Sequence, residues 1–434
     1  MGDDYTIIEN SSSALVSSRR VPARWGTVAA YAAVAAANQL LWLTYAPITT
    51  DVARHFDVSE SAVGWLSQVF PLVYVLLAIP AGLALDRRFR GALLFGAWLT
   101  AFGGAVRLGS DTFAFALAGQ ILIAIAQPLI LNAVTKVAAT SLPPQSLAQG
   151  ISLGSAGIFA GTALALPLGP ALADESSLIP LLVVDLVIAL AAALWLTAAM
   201  TRTPAPAPAA ASPPVATPTP GATSPAVATP APGATSPAHA TPTPGATSPP
   251  VATPAFAGRA ELRAVWADRT IRRLSAVAFL GFGVFVALTT WLQALLEPAG
   301  VSDETAGILL GVMVLAGVVG SATLPAPIAR RGLERAFLRV AAVVAAAGCV
   351  FLALAPGAAA VVVIPLGVVL LGSLPVVLEL TERRSESSAA AALIWLAGNA
   401  GGIVVAVLVQ ATQDRPAAAF SLLAVTAALV LAVA

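Results

Sequence analysis

The stretch Val215-Ala-Thr-Pro-Thr-Pro-Gly-Ala-Thr-Ser-Pro-Ala226 is the first copy of a 12-residue repeat that returns, with small changes, from Val227 and from His239. Proline at this density removes backbone N–H donors and favours polyproline II, and the repeat has no amphipathic face to stack on its neighbour. The pattern predicts a solvated, semi-rigid linker over 201–258, with a proline-rich docking site as the alternative. About six long apolar segments precede the linker and about six follow it, so it divides the chain into two hydrophobic halves.

The composition is that of a polytopic membrane protein. Hydrophobic residues make up 58% of the 434 residues and charged residues 10%, whereas a soluble domain has about 45–50% and about 25%. The single cysteine and two histidines leave no disulfide framework, metal site or nucleophile–base cluster. A net charge of +1 argues against a nucleic-acid partner. We therefore expect no enzyme activity and no cofactor.

Apolar runs of the right length predict an all-α protein with twelve transmembrane helices in two six-helix bundles, 27–200 and 259–434, after a tail over 1–26. The predicted spans are 27–50, 62–85, 91–109, 113–138, 146–172, 178–199, 271–296, 304–328, 336–355, 358–380, 387–410 and 416–434. The polar first 26 residues carry no apolar run with a cleavage site, so we expect no cleaved signal peptide.

The distribution of positive charge predicts the orientation. With the N-terminus in the cytoplasm, only Arg54, Arg107 and Arg415 of the 22 basic residues fall on the outer side. The positive-inside rule then places both termini and the linker in the cytoplasm, in a plasma-membrane protein. The outer loops are too short to form an outer domain.

Two six-helix halves joined by a linker are the layout of an alternating-access carrier, whose halves rock about a site at the midplane. Runs of small residues agree with close helix approach, among them Gly154, Gly157 and Gly161 in the fifth predicted span and Gly317 and Gly320 in the eighth. Such glycines let helices slide past each other or simply pack them closely, and the sequence leaves both readings open.

Polar residues within three spans are the candidate solute contacts, because a polar group in a bilayer needs a partner or a purpose. Spacing places Asn38, Trp42 and Tyr45 on one face of the first span. Gln120 and Gln127 share a face of the fourth span, and Trp395 and Asn399 share one in the eleventh. The alternative is that these amides only bond neighbouring helices.

Four local patterns carry a resemblance to a known family. They are Asn38-x-x-x-Trp42-x-x-Tyr45; Trp65-Leu66-Ser67 with Tyr74 and Pro80-Ala81; Gly119-Gln120 followed by Ala126-Gln127; and Pro375-x-x-x-Glu379 with Ser385-Glu386. The chain resembles the major facilitator superfamily and, within it, the feline leukaemia virus subgroup C receptor family. The likeness covers the chain outside the N-terminal tail and the linker.

The resemblance implies a solute class. Members of that family are carriers of choline and ethanolamine, with haem export also proposed, and their amine site uses Trp, Gln, Tyr and Gln from the first, fourth, seventh and eleventh helices. Trp42 and Gln127 match the first two positions, and Asn399 stands in place of the last Gln. The seventh span has no Tyr and offers Phe282 and Phe285, whose rings attract a cation without a hydroxyl.

The superfamily's loop motif between the second and third helices corresponds here to Gly82-Leu-Ala-Leu-Asp86-Arg87-Arg88-Phe89-Arg90, with Phe89 where Gly is expected. An acid there accepts from helix N-terminal N–H groups and pairs with arginines, so Asp86, Arg87 and Arg90 are predicted to latch the inner gate. In the second-half copy Ala329 replaces the acid, which predicts a weaker latch. A loop that only sets topology is the alternative.

Two acids lie within predicted spans. Glu379 is predicted to be a gate residue that pairs with Arg383 or Arg384 beside it. Asp185 is a candidate proton-coupling site, or else a snorkelling or capping acid.

The prediction is therefore a monomeric carrier of a small organic solute, in contact with the lipid bilayer. A proton-coupled drug or metabolite exporter of the same superfamily is the alternative. A non-transporting receptor or scaffold is a third class, but it would need a folded domain outside the membrane that this sequence does not predict.

Overall fold

The computed structural model describes residues 23–109, 111–173, 177–201 and 254–434. Most of the predicted N-terminal tail and almost all of the predicted linker lie outside the described residues. The assignment of residues 1–26 and 201–258 to a tail and a linker therefore remains a prediction.

The described chain is built from α-helices joined by short turns. The helices of the first half are α1 (Trp25–Leu43), α2 (Thr49–Phe56), α3 (Glu60–Arg107), α4 (Phe113–Leu131), α5 (Val134–Ser141), α6 (Leu147–Leu172) and α7 (Ile179–Thr201). Those of the second half are α8 (Pro254–Ala267), α9 (Arg269–Leu296), α10 (Asp303–Thr323), α11 (Pro325–Arg330), α12 (Glu334–Leu354), α13 (Ala360–Arg384), α14 (Ser388–Gln410) and α15 (Pro416–Val433).

Eleven helical segments of the described chain are long and apolar enough to cross a membrane. One of them, α3, has 48 residues and would measure about 72 Å, more than twice the ~30 Å hydrocarbon core. Its helix is interrupted at Arg88, where φ is −142° and ψ is 57°. The segment therefore supplies two spans, and the prediction of twelve transmembrane helices is confirmed.

Three predicted spans are interrupted in the structure. Prolines account for two of the breaks: Pro47 separates α1 from α2, and Pro325 begins α11 after α10. The third break lies between α4 and α5, where Asn132 donates through its Nδ2 to the Ala78 carbonyl and accepts from the Tyr74 hydroxyl. These bonds tie the break to α3.

Each half packs mainly on itself, with α1 against α6 and α3 against α4 in the first half, and α9 against α14 and α10 against α13 in the second. A Cβ at Gly161 would lie 2.1 Å from the Ala36 carbonyl oxygen, and one at Gly320 would lie 2.8 Å from that of Val368. Both glycines contact helices of their own half. They serve close packing, so the structure favours that reading over sliding between halves.

The two halves meet along two seams. In the first seam α3 packs on α14, and in the second α6 packs on α10, α11 and α13. Asp86 of α3 and the first residues of α14 lie at one end of the first seam. We call this the basic end, and it is the end predicted to face the cytoplasm.

An additional short helix, α8, precedes the second bundle and begins inside the range predicted as linker. Val265 of α8 packs with Ile271, Ala390 and Leu393, and Ile79 of the first half joins this cluster. Asp268 joins α8 to α9, accepting from the Thr270 N–H at 2.7 Å and from Arg384 Nε at 2.5 Å. The bond from Thr270, with the neighbouring Arg384, holds the pKa of Asp268 below its usual value.

Candidate functional site

Aromatic rings from both halves meet where α6, α9 and α14 come together. Phe159 of α6 lies edge-on to Phe285 of α9, with ring centroids 6.4 Å apart. Phe285 lies 5.6 Å from Phe282, which in turn lies 6.1 Å edge-on to Trp395 of α14. We call these four rings the aromatic row. Sequence reasoning identified both α9 rings but missed Phe159, whose only signal was a lone aromatic in a span of small residues.

Trp42 of α1 lies within the first half. Its Nε1 donates to the Ser67 carbonyl at 2.9 Å, and its ring stacks on Phe70 at 5.7 Å with a 28° angle between the planes. The side chain is half-buried, so the hydrogen bond and the stack hold the indole in one orientation. Such a fixed aromatic face is suited to a cation.

Gln127 and Asn399 differ in how their amides are used. Gln127 is 3% exposed and its amide makes no hydrogen bond to any residue that the structure describes. Asn399 donates through Nδ2 to the Trp395 carbonyl at 2.8 Å, which leaves its Oδ1 as an acceptor. The Gln127 amide atoms are not among the fully buried polar atoms that lack a partner in the described chain, so they remain accessible, and Gln127 is the stronger candidate for a solute contact.

Asn38 and Tyr45 are engaged in packing within the first half. The Asn38 Nδ2 donates to Thr100 Oγ1 at 3.1 Å and to the Ile123 carbonyl at 3.3 Å. Tyr45 is buried, and its ring lies 5.6 Å from the Arg107 guanidinium carbon. For these two residues the structure favours the alternative of helix-to-helix contact, and we leave them out of the proposed solute site.

Asp185 of α7 forms a fully buried ion pair with Arg107 at the last residue of α3. Asp185 Oδ2 lies 3.3 Å from Arg107 Nη2 and accepts from the Thr44 hydroxyl at 2.5 Å. Asp185 Oδ1, Arg107 Nε and the Tyr45 hydroxyl have no hydrogen-bond partner in the described chain. Arg107, which the positive-inside rule assigns to the outer side, is 3% exposed.

Asp86 joins the two halves at the basic end. Its carboxylate accepts from the Ser388 N–H at 2.7 Å, the Ala389 N–H at 3.2 Å and the Ser387 hydroxyl at 2.7 Å, all at the start of α14. Lys136 of α5 completes the contact, with Nζ 2.7 Å from Asp86 Oδ1. The acid thus caps a helix of the other half, where the partial positive charge of the helix favours it.

The ion-pair partner that the structure gives for Asp86 is not one of the predicted arginines. Arg87 and Arg90 are exposed, and the ion-pair partner of Asp86 is Lys136, which lies near the end of the fourth predicted span, 113–138. Glu379 pairs with Arg383 at 2.5 Å, and Arg383 also reaches Glu334 at 2.9 Å, so this trio belongs to the second half alone. Glu379 Oε2 has no partner among the described residues.

Residues 28–407 match the family described as Major Facilitator Superfamily. The chain belongs to this superfamily. It is a multi-pass membrane protein and a transporter by family, and its relatives agree with the more specific resemblance noted from the motifs.

Two named relatives bear on that resemblance. The chain is 27% identical over 308 residues to solute carrier family 49 member A3 of Danio rerio, covering 69% of this chain and 57% of the relative. It is 30% identical over 155 residues to the choline/ethanolamine transporter FLVCR1 of Mus musculus, covering 35% of this chain and 28% of the relative. The matched region spans just over half the length of the first relative and less than a third of the second.

Solved structures share the fold at low identity. The human organic anion transporter MFSD10 superposes with a TM-score of 0.69 at 16% identity, covering 95% of this chain and 99% of that one. The transporter FucP in its outward conformation superposes with a TM-score of 0.63 at 16% identity, covering 92% and 99%. These structures support the twelve-helix fold and say nothing about the solute.

Proposed function

We propose that this protein carries a small organic amine or quaternary ammonium solute across the plasma membrane by alternating access. The observation that carries the proposal is the aromatic row, in which Phe159 of one half meets Phe285, Phe282 and Trp395 of the other. A solute held by rings from both halves lies across the interface between the halves, which must move relative to each other during transport. Each ring face attracts a cation by roughly 0.5 to 2 kcal/mol without a buried carboxylate.

The remaining site residues orient the solute. Trp42 offers a second aromatic face, fixed by Ser67 and Phe70. Gln127 supplies an unbonded amide and Asn399 a free carbonyl oxygen, which suit the hydroxyl or amino group of an ethanolamine-like solute. The names of the choline/ethanolamine relatives support this solute class. Because the seventh helix lacks the Tyr of the family's amine site, binding of choline itself has to be tested.

The gate belongs to the same proposal. Asp86 holds the basic end closed by capping α14 of the other half, and Lys136 of its own half holds the carboxylate in place. With the basic end in the cytoplasm, the described structure is the state in which solute enters from outside. Arg87 and Arg90 serve as the surrounding positive charge of that end, and Glu379 gates through Arg383.

One observation favours a second candidate, the proton-coupled exporter. Asp185 is fully buried in the first half, and one of its oxygens lacks a partner among the described residues. Protonation would remove the charge that pairs with Arg107 and weaken the bond that Asp185 accepts from the Thr44 hydroxyl. A buried acid with a breakable pair is the element that proton coupling needs.

A thermal-shift screen of the purified carrier tests the solute class. Choline, ethanolamine, an amino acid, an organic acid and a sugar are compared at matched concentrations. A ligand at 100 times its dissociation constant stabilises the folded state by about 2.7 kcal/mol, which raises the melting temperature. We expect shifts with the amines only. A shift confined to the acid or the sugar would refute the amine proposal.

A further inference from the structure

The two seams between the halves are built differently at the basic end. The first seam is closed by three hydrogen bonds from the start of α14 to the Asp86 carboxylate, which Lys136 of the same half holds in place. The second seam holds a cavity of about 250 Å³ instead. Its lining comes from both halves and consists of Pro144, Gln145, Ala148, Gln149, Ala326, Ala329, Arg330, Glu379 and Arg383.

The cavity lies where the second half would place its own copy of the latch. Ala329 precedes Arg330-Arg331 as Asp86 precedes Arg87-Arg88, so Ala329 takes the position of the acid. Lys136 follows Asp86 by 50 residues, and Glu379 follows Ala329 by the same 50. At the corresponding positions the second half therefore has Ala329 in place of the acid and Glu379 in place of the lysine.

The second latch would cap the start of α6, and the structure shows no such cap there. The start of α14 is capped by side chains of Asp86 and Ser387, whereas Ser146 at the start of α6 makes no side-chain cap. Gln145 and Gln149 form no hydrogen bond to Arg330, Glu379 or Arg383 in the described chain. Glu379 is 1% exposed and keeps Oε2 without a partner at the cavity wall.

We propose that the basic end is latched on the first seam only, and that the polar cavity on the second seam is the exit by which solute leaves the carrier. No ion pair among the described residues crosses either seam. Opening the second seam breaks no hydrogen bond that the structure gives between α6 and the second half, whereas opening the first breaks the three bonds from the start of α14 to Asp86. The Gln145 and Gln149 amides and the two arginines in the cavity lining give a small polar organic solute a wetted path. The inference rests on the proposed alternating access and adds its route.

The test rebuilds the missing latch. Ala329→Asp combined with Glu379→Lys restores the acid–lysine pair beside the uncapped α6, in the arrangement of the first seam. Each single substitution is a matched control, because Ala329→Asp alone places a second acid near Glu379, and Glu379→Lys alone supplies no cap. The only native cysteine, Cys349, is buried and is replaced by Ser, so that Gln149→Cys reports the cavity.

In inside-out vesicles, a membrane-impermeant maleimide should label Gln149→Cys about tenfold more slowly in the rebuilt double variant than in either single variant. Solute release at the basic end should slow in parallel, while binding from the opposite side stays unchanged. Labelling of the double variant at the parent rate, or equal slowing in a single variant, overturns the inference.

A second variant keeps the inference testable if the double variant folds poorly. Ala329→Leu fills part of the cavity without adding charge and should slow release at least threefold with binding retained, whereas unchanged release overturns the exit route. Labelling needs no solute, so the two proposals fail separately. If labelling slows but amines do not bind, only the proposed solute class is refuted. If amines are transported but labelling of the double variant is unchanged, only the proposed exit route is refuted.

Discussion

At the residue scale, Trp42 shows how a side chain can be held by the protein and still serve a ligand. Its indole N–H donates to the Ser67 carbonyl and its ring stacks on Phe70, so a cationic solute meets a face that loses little entropy on binding. We expect Trp42→Leu to weaken binding of a cationic solute by roughly 1 to 2 kcal/mol and Trp42→Phe to weaken it less, because Phe keeps a weaker π face. Isothermal titration of the three proteins measures this, and equal losses for Phe and Leu would contradict the cation–π role.

Asp185 is the second residue whose role depends on its surroundings. Removing one partner of a buried ion pair leaves the other charge uncompensated, at a cost of about 3 to 5 kcal/mol. Asp185→Asn should therefore lower thermal stability by leaving Arg107 unpaired, and Asp185→Leu with Arg107→Met should recover much of the loss.

The same variant separates the two transport mechanisms. The amine carrier predicts that Asp185→Asn transport keeps the pH profile of the parent between about pH 5.5 and 8. If Asp185→Asn abolishes a pH response that the parent shows while Trp42→Phe and Trp42→Leu behave alike, the proton-coupled exporter replaces the amine carrier.

At the element scale, the hydrogen bonds that the structure gives between α3 and α14 all go to one carboxylate, that of Asp86. Charge-assisted hydrogen bonds contribute about 1.5 to 3 kcal/mol each, so weakening those of Asp86 should shift the balance between inward-open and outward-open states by tenfold or more. Asp86→Asn removes the ion pair with Lys136 and weakens the cap on α14. It should slow turnover more than it weakens binding, as seen by cysteine accessibility from the two sides.

Glu386→Gln is the matched control for that variant, since it removes an exposed acid one residue before Ser387 without touching the cap. The same accessibility pattern in Asp86→Asn, Glu386→Gln and the parent would argue against a latch at the first seam.

At the scale of the whole molecule, the two bundles are predicted to need only a tether between them. Residues 227–238 form one 12-residue repeat of the predicted linker and lie outside the described residues. Because chain entropy changes slowly with linker length, deleting this repeat should leave expression and uptake within about twofold. A well-expressed deletion variant without transport would show that the repeats do more than connect.

The amino-acid sequence by itself determined the twelve spans, the two-half layout and the position of Asp86, because hydropathy and a local motif are properties of neighbouring residues. It placed Phe282 and Phe285 on one helix for the same reason. Only the tertiary structure decided the partners: Arg107 with Asp185, 78 residues away, Lys136 instead of an arginine with Asp86, and Phe159 with Phe285. Those contacts join different helices, and their geometry depends on packing and on where helices break, which no local periodicity along the chain records.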